Sequence, residues 1–254
     1  MDPYGKTFYD IQQAGSFSSA EVIVPLLKEL VQLQSAIDVG CGVGTWVRAL
    51  MGAGVRDVHG IDGAWVTSDM LQVPEDRFRP VDLSRPFRLG RRFDLALSLE
   101  VAEHLPAASA DGFVESLVCL APVVLFSAAV PFQGGTQHVN EQWPEYWANI
   151  FGRYGYAPLD CIRMRIWNDP RVEWWYSQNI LLYANEQGLS ANPQLAVYRD
   201  CSPSLPVGLI HPRRYLEMQL QLQMPTQSPG VHACVVMTLA ATKRAILRRL
   251  KRRR

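Results

Sequence analysis

A loop with three glycines, Gly40, Gly42 and Gly44, follows a short apolar run and precedes a helical pattern. Residues 36–39 are typical of a short buried strand, and residues 45–54 place apolar side chains at helical intervals. Glycines at a strand-to-helix turn let the backbone approach a ligand closely. The order of strand, glycine loop and helix therefore predicts an α/β fold with a nucleoside-type ligand at the loop.

Apolar runs alternate with helical patterns through most of the chain. Ser18 and Glu21 have the spacing of a capping box and predict a helix from residue 19. Further strands are predicted at 58–62, 77–83, 93–99 and 123–130, and further helices at 109–119 and 141–154. Such runs indicate a parallel sheet covered by helices on both faces. Two last runs, 159–167 and 173–184, predict strands of an antiparallel hairpin.

Acidic residues stand at or near the ends of the predicted strands: Asp62, Asp82 and Glu100. An acid at the end of the second strand can bind the hydroxyls of a ribose. The loop departs from the dinucleotide-binding pattern in two ways. Asp38 lies within the strand ahead of the glycines, and the last glycine is not at the interval that this pattern requires.

With its D-V-G-C-G-x-G segment, these strand-end acids and the closing strands, the chain resembles the class I S-adenosylmethionine-dependent methyltransferases over about residues 18–184. The resemblance implies a Rossmann-like α/β fold. Its seven-stranded mixed sheet would have only the last strand antiparallel and helices on both faces.

The same resemblance implies a set of residues that bind S-adenosylmethionine: Asp38, Gly40, Gly42, Gly44, Asp62, Asp82, Leu83 and Glu100. Asp38 and the glycine loop would hold the methionine end of the cofactor. Asp62 would bind the ribose hydroxyls, while Asp82 and the Leu83 backbone would recognise adenine. Glu100 would lie beside the loop.

A second constellation joins Glu100, Glu103 and His104 with His138, which follows the fifth predicted strand. Because both segments follow neighbouring strands, their side chains can converge. The pattern resembles quinone-biosynthesis O-methyltransferases and methyltransferases of small-RNA 3′ ends, some of which use a divalent cation. The four residues would then hold Mg²⁺ or Mn²⁺ and activate a hydroxyl. Alternatively, His138 or His104 is a general base without metal, or both histidines are core residues.

The segment 134–147, GGTQHVNEQWPEYW, combines amide, acid and aromatic side chains, as sugar sites do. With the following residues it resembles bacterial methyltransferases of glycan and secondary-metabolite pathways. We therefore predict O-methylation of a small-molecule, sugar or glycan-type acceptor. An RNA-modifying methyltransferase and a non-catalytic cofactor-binding partner protein are the alternatives.

Charge is distributed unevenly along the 254 residues. Residues 243–254 hold eight of the 25 lysines and arginines and no acid, which leaves 17 basic against 24 acidic residues elsewhere. An acidic body disfavours a nucleic-acid partner. A basic tail after a short apolar run favours peripheral contact with an anionic membrane, binding of another polyanion, or a solvated segment.

Domain organisation and location follow from the same patterns. We predict a methyltransferase domain over 1–184, an extension of undefined role over 185–230, and a basic helix or tail over 231–254. Five scattered cysteines without a C-x-x-C pair argue against a disulfide framework or a zinc ribbon. The expected location is the cytoplasm, with attachment at the inner membrane as the variant that the tail allows. The sequence leaves the oligomeric state open.

Overall fold

The computed structural model of the protein describes residues 6–201 and 206–223. The strands are β1 (Ser35–Val39), β2 (Asp57–Asp62), β3 (Phe78–Pro80), β4 (Leu95–Leu99), β5 (Val123–Ser127), β6 (Ala157–Leu159) and β7 (Leu181–Ala184). They form a seven-stranded sheet in the order β3-β2-β1-β4-β5-β7-β6. Strand β7 runs antiparallel to both of its neighbours, whereas the pairs from β3 to β5 are parallel. The predicted mixed sheet with an antiparallel last strand is confirmed.

Helices lie around this sheet, as the alternating sequence pattern predicts. They are α1 (Lys6–Leu30), α2 (Thr45–Gly52), α3 (Ala110–Leu120), α4 (Pro144–Arg153), α5 (Arg163–Ile166), α6 (Trp174–Asn179), α7 (Glu186–Ala191), α8 (Pro193–Cys201) and α9 (Pro212–Gln223). Short 3₁₀ turns occupy parts of the loops, including Ala102–His104 after β4.

The core has two apolar layers because successive side chains of a strand point to opposite faces. In β4, Leu95, Leu97 and Leu99 pack into the layer that contains α1 and α2, whereas Ala96 packs into the layer of α3 and α4. All five side chains of β4 are buried. Helices therefore cover β4 on both faces of the sheet.

Helix α1 begins at Lys6, so the predicted start near residue 19 is wrong. Ser18, the expected N-cap, lies inside the helix. The neighbouring Ser19 hydroxyl donates to the Gly15 carbonyl (2.7 Å) and accepts from the Glu173 N–H (3.0 Å). Contact with a distant segment thus outweighs the local capping signal.

The predicted hairpin of strands 159–167 and 173–184 is also wrong in its connection. Strands β6 and β7 pair antiparallel, but helices α5 and α6 separate them. Arg163 is fully buried, and its guanidinium pairs with the carboxylate of Asp160 (2.6 Å), three residues earlier. The same guanidinium donates to the carbonyls of Gln178 and Val207, so contacts with distant segments hold Arg163 at the start of α5.

Two other predicted strands end early. The strand predicted at 77–83 ends at Pro80, and the one predicted at 123–130 ends at Ser127. Residues after Ser127 turn into a long loop that leads to α4. Asp82 therefore lies in a loop after β3, not within a strand.

The chain divides into two compact units, Met1–His211 and Pro212–Arg254. The first unit extends beyond residue 184 and includes α7 and α8, which contribute the buried Leu189 and Leu195 to the core. The second contains α9. The predicted tail, 231–254, lies outside the described residues, and the three-part division stays a prediction. Among the described helices, none is long and apolar enough to cross a membrane.

Candidate active site

A cavity of about 690 Å³ opens at the carboxyl ends of β1, β2 and β4. Strand order reverses between β1 and β4, which is the point where open α/β sheets bind their ligands. The sequence-predicted residues on its wall are Asp38, Gly40, Gly42, Asp62, Asp82, Leu83, Glu100, Glu103, His104 and His138. Gly44, the remaining predicted residue, is the N-cap of α2.

The glycine loop has a backbone that other residues rarely adopt. Gly40 has a φ of 84°, and an added Cβ would lie 2.3 Å from a methyl carbon of Val101. Gly44 has a φ of 89°, and its added Cβ would lie 2.9 Å from Val73. Only glycine meets both requirements without strain. The loop therefore needs glycine at these positions for packing as well as for ligand access.

Asp62 holds the glycine loop in place. Its carboxylate accepts the N–H of Gly42 (2.7 Å) through one oxygen and the N–H of Gly63 (2.6 Å) through the other. Burial raises the pKa of Asp62, and these two hydrogen bonds oppose that shift. The residue predicted to bind ribose thus also determines the shape of the loop.

Asp38 is buried beneath the loop with an incompletely satisfied carboxyl group. Its Oδ2 has no hydrogen-bond partner among the described residues. Burial, reinforced by the nearby charge of Asp62, raises the pKa of Asp38 to about 8. A buried acid of this kind favours a cationic or hydrogen-bonding ligand group beside it.

Glu100 is held by amide side chains that the sequence analysis did not identify. Asn179 donates to Oε1 (3.0 Å), and Gln133 donates to Oε2 (2.9 Å). Gln178 in turn donates to Gln133 (3.1 Å). Burial raises the pKa of Glu100, while hydrogen bonds from Asn179, Ser127 and Gln133 lower it. Single amides far apart in sequence give no motif, so only the fold identifies this network.

Backbone contacts bring His104 and His138 together. The carbonyl of Glu103 accepts the N–H groups of Val139 (2.8 Å) and Asn140 (3.0 Å). The two imidazole rings then lie 4.8 Å apart between centroids, nearly edge to face. The predicted convergence of these two segments is therefore present in the structure.

Glu103, His104 and His138 form the group of possible metal ligands within the part of the chain that the structure describes. Each offers one ligand atom, and these atoms lie within 4.8 Å of one another. Glu100 is not in this group, and its carboxylate instead accepts hydrogen bonds from Asn179 and Gln133. Of the four residues predicted to hold a cation, Glu103, His104 and His138 thus have ligand atoms close to one another.

Burial shifts the pKa values of Glu103 and His104. It raises the pKa of Glu103 well above its ordinary value, and the charge of Glu100 adds to the shift. Both carboxyl oxygens of Glu103 lack hydrogen-bond partners among the described residues. Burial, with the charge of His138, lowers the pKa of His104 to about 4. The His104 imidazole is therefore neutral at physiological pH.

Glu141 organises the loop that carries His138. One carboxylate oxygen accepts the Phe132 N–H (2.7 Å), and the other accepts the Gly134 N–H (2.8 Å). The second oxygen also lies 2.9 Å from Nδ1 of His138. Sequence analysis placed Glu141 among groups that bind a sugar, but its contacts are to the protein.

Aromatic side chains form another wall of the cavity: Trp46, Trp65, Trp174, Trp175 and Tyr176. The last three lie on α6, although their sequence predicted a strand. Trp46 and Tyr176 meet edge to face at 5.4 Å. By contrast, Trp147 is buried beside Phe126 in the core. Flat rings opposite polar groups suit a ligand with hydroxyls and an apolar face.

Comparison with known proteins identifies the fold and the family. Residues 16–144 match a family model described as a methyltransferase domain. No curated protein sequence matches the chain. Similar solved structures include the sugar N-methyltransferase KedS8 from Streptoalloteichus sp. ATCC 53650, with 16% identity and a TM-score of 0.55 over 70% of this chain and 91% of that one.

Two further structures have the same fold. CalS10, an amino pentose methyltransferase from Micromonospora echinaspora, is 15% identical with a TM-score of 0.53, over 70% of this chain and 96% of its own. The methyltransferase domain of bacterial CtHen1-C is 18% identical with a TM-score of 0.50, over 67% of this chain and 98% of its own. At these identities the likeness extends to the fold alone.

Proposed function

We propose that this chain, which belongs to the class I S-adenosylmethionine-dependent methyltransferases, methylates a hydroxyl of a small-molecule or sugar-type acceptor. The single observation that carries the proposal is the position of His104 and His138 on the wall of the cavity that also contains the glycine loop. Base and cofactor loop thus face the same space.

The residues around the glycine loop fit S-adenosylmethionine. The unpartnered Oδ2 of Asp38 suits the cationic amino group at the methionine end. Side chains larger than hydrogen at Gly40 would clash with Val101, so the loop keeps the close backbone approach that a nucleoside ligand needs. Asp62 lies at the end of β2, where a ribose is bound in this type of sheet. When bound, the cofactor supplies a methyl group on a positively charged sulfur.

His138 is the general base in this proposal. Its Nδ1 faces Glu141, and its Nε2 lies beside Gly135, where an added methyl group would come within 2.2 Å. Because Nδ1 is paired with Glu141, Nε2 is the ring nitrogen that accepts the proton of the acceptor hydroxyl in this proposal. The aromatic wall excludes water and orients the acceptor, and alignment of the attacking oxygen provides much of the rate acceleration.

A divalent cation is the second candidate for activating the hydroxyl. Glu103, His104 and His138 offer a carboxylate and two imidazoles whose ligand atoms lie within 4.8 Å of one another. Such a donor set suits Mn²⁺ better than Mg²⁺, because imidazole is a poor ligand for Mg²⁺. The cation would lower the pKa of the bound hydroxyl, and His138 would then be a ligand instead of a base.

The test of the proposed function combines binding with transfer. Calorimetric titration with S-adenosylhomocysteine should show binding to one site per chain. Incubation with methyl-labelled S-adenosylmethionine and a panel of sugars, phenols and amino sugars should label a hydroxylated acceptor. Labelling only at amines would contradict O-methylation. Labelling of RNA instead, or binding without any transfer, would favour the RNA-modifying or non-catalytic alternatives. If His138 acts as a base without metal, a chelator added to the same assay should leave the rate of methyl transfer unchanged.

The substitution Glu141→Gln should lower kcat about tenfold without changing cofactor affinity. Glutamine has the same shape but cannot accept hydrogen bonds through both terminal atoms, so one of its contacts to Phe132, Gly134 or His138 is lost at a cost of about 1–3 kcal/mol. Steady-state kinetics would measure kcat and KM separately.

The matched control for this prediction is Glu145→Gln, an exposed acid in the first turn of α4. This variant should keep the wild-type kcat. Equal kcat values for the two variants would show that Glu141 does not position His138.

A further inference from the structure

Exposed apolar side chains stand next to residues that line the cavity. Phe132 and Val139 are 82% and 64% exposed. They stand directly next to Gln133 and His138, which line the cavity. Trp143, at the start of α4, is 41% exposed. One loop therefore directs polar groups inward and apolar groups outward at the same place.

A second segment adds to this surface. Val207 and Ile210 are 57% and 42% exposed. Gly208 between them packs near Trp143, since an added Cβ would lie 3.2 Å from the indole. The segment is anchored, because the buried guanidinium of Arg163 donates to the Val207 carbonyl (3.0 Å).

We name the five side chains Phe132, Val139, Trp143, Val207 and Ile210 the apolar rim. Single exposed apolar residues are ordinary on a protein surface, but a group of them beside a binding cavity marks a contact site. The hydrogen bond from Arg163 to the Val207 carbonyl fixes the backbone of that part of the rim. The apolar rim is therefore typical of a surface that contacts an apolar partner.

The charge of the chain indicates which partner this is. Residues 243–254 carry eight lysines and arginines and no acid. Each basic side chain near an anionic bilayer contributes about 1 kcal/mol, and an apolar anchor together with a polybasic segment is one of the combinations that give stable attachment. Because the remaining residues are acidic overall, the tail supplies the complementary charge and the rim supplies the apolar signal.

We propose that the apolar rim inserts into an anionic lipid bilayer and sets the cavity mouth against its surface, with residues 243–254 providing the electrostatic attraction. The acceptor then reaches His138 from the headgroup layer, as the polar end of an amphiphile does. The inference rests on the proposed function only in taking this cavity as the catalytic one.

Vesicle co-sedimentation of the full chain tests the rim directly. The probes are vesicles of phosphatidylcholine with phosphatidylglycerol, and vesicles of phosphatidylcholine alone. The wild type should bind the anionic vesicles and lose affinity as salt is added. Val139→Asp should bind them at least about tenfold more weakly, because the substitution removes an inserted apolar group and adds a repelled charge.

Val197→Asp is the matched control. Val197 is also a valine and is 63% exposed, but it lies on α8. The neighbouring Gln194 of α8 bonds to the Leu30 carbonyl, at the end of the sheet opposite the cavity. The control should bind anionic vesicles within about twofold of the wild type, since the same charge is placed away from the rim.

Three results would overturn the proposal: equal weakening by the two aspartates, no binding of the wild type to anionic vesicles, or self-association in sedimentation velocity that Val139→Asp alone abolishes. The last result would assign the rim to a second copy of the chain. Melting temperatures of both variants should match the wild type, and Val139→Ser provides the neutral replacement if Val139→Asp is unstable. Binding is measured without cofactor, so failure here leaves methyl transfer standing.

Discussion

Replacing His138 by alanine should slow methyl transfer by a factor of about 10²–10⁴, the range expected for loss of a general base. Binding of S-adenosylhomocysteine should stay within about twofold of the wild type, since His138 lies on the loop after β5, away from the contacts of the glycine loop. Single-turnover transfer from labelled cofactor and calorimetric titration would measure the two quantities on the same preparation.

The size of the expected loss follows from the surroundings of His138. His104 has a pKa of about 4 and lies with its ring centroid 4.8 Å away. A base of such low pKa accepts a hydroxyl proton poorly near neutral pH. The charge of His138, the smaller cause of this low pKa, is lost in the alanine variant, but burial, the larger cause, remains. His104 therefore stays a poor replacement for His138 in that variant.

His59→Ala is the control for this experiment. His59 lies on β2 and pairs with Asp57 at the edge where that strand begins, not in the cavity. This variant should transfer methyl groups at the wild-type rate. A His138→Ala variant that keeps full turnover would exclude the residue from the mechanism. Stoichiometric metal in the wild type that is lost in the variant, together with inhibition by a chelator, would favour the cation over the base.

The sheet could be predicted from sequence because its signals are local. Strands β1 and β4 are short, mostly apolar and buried, and the glycine loop marks the turn from β1 to α2. The errors arose where distant contacts decide the structure. The buried guanidinium of Arg163 donates to the carbonyls of Gln178 and Val207, and the Glu173 N–H donates to Ser19 in α1; neither set of contacts has a sequence signature.

The candidate site also contains residues whose positions could be predicted from sequence and residues whose positions could not. Asp38 and Asp62 lie at the carboxyl ends of β1 and β2, and the two histidines lie in the segments after β4 and β5. The rule that parallel strands present their carboxyl ends at one edge therefore brings them together. The residues that hold them, such as Asn179 and Gln133 around Glu100, come from unrelated segments. Glu141 was identified as polar and near the site, but its role depends on backbone N–H groups that no sequence pattern displays.

The substitution Asp38→Asn should have opposite effects on stability and cofactor binding. Because the folded pKa of Asp38 is about 8, the carboxyl takes up a proton on folding at neutral pH. Relative to an ordinary value near 4, this costs up to about 4 kcal/mol at pH 7. Asparagine never ionises, so the cofactor-free variant should be more stable by up to that amount.

The pH dependence separates this cause from general packing effects. A raised folded pKa means that the contribution of Asp38 to stability is complete below pH about 4 and declines as the pH rises to about 8. Denaturant unfolding should therefore show little difference between wild type and variant at acidic pH and the full difference near pH 8. Asp76→Asn, at a side chain that is 75% exposed, should leave the unfolding free energy unchanged at both values.

The affinity of the Asp38→Asn variant for the cofactor should decrease. Without the carboxylate, the cationic end of the cofactor loses a charged hydrogen bond worth about 1.5–3 kcal/mol, so S-adenosylhomocysteine should bind about 10–100-fold more weakly. In the wild type, the cationic end of the cofactor favours ionised Asp38, so binding at neutral pH should release a proton. For the same reason the affinity should increase as the pH rises towards 8. Calorimetry in buffers of different ionisation enthalpy measures that proton. An Asp38→Asn variant that is less stable at pH 8, or that binds the cofactor as tightly as the wild type, would show that Asp38 serves packing and not the ligand.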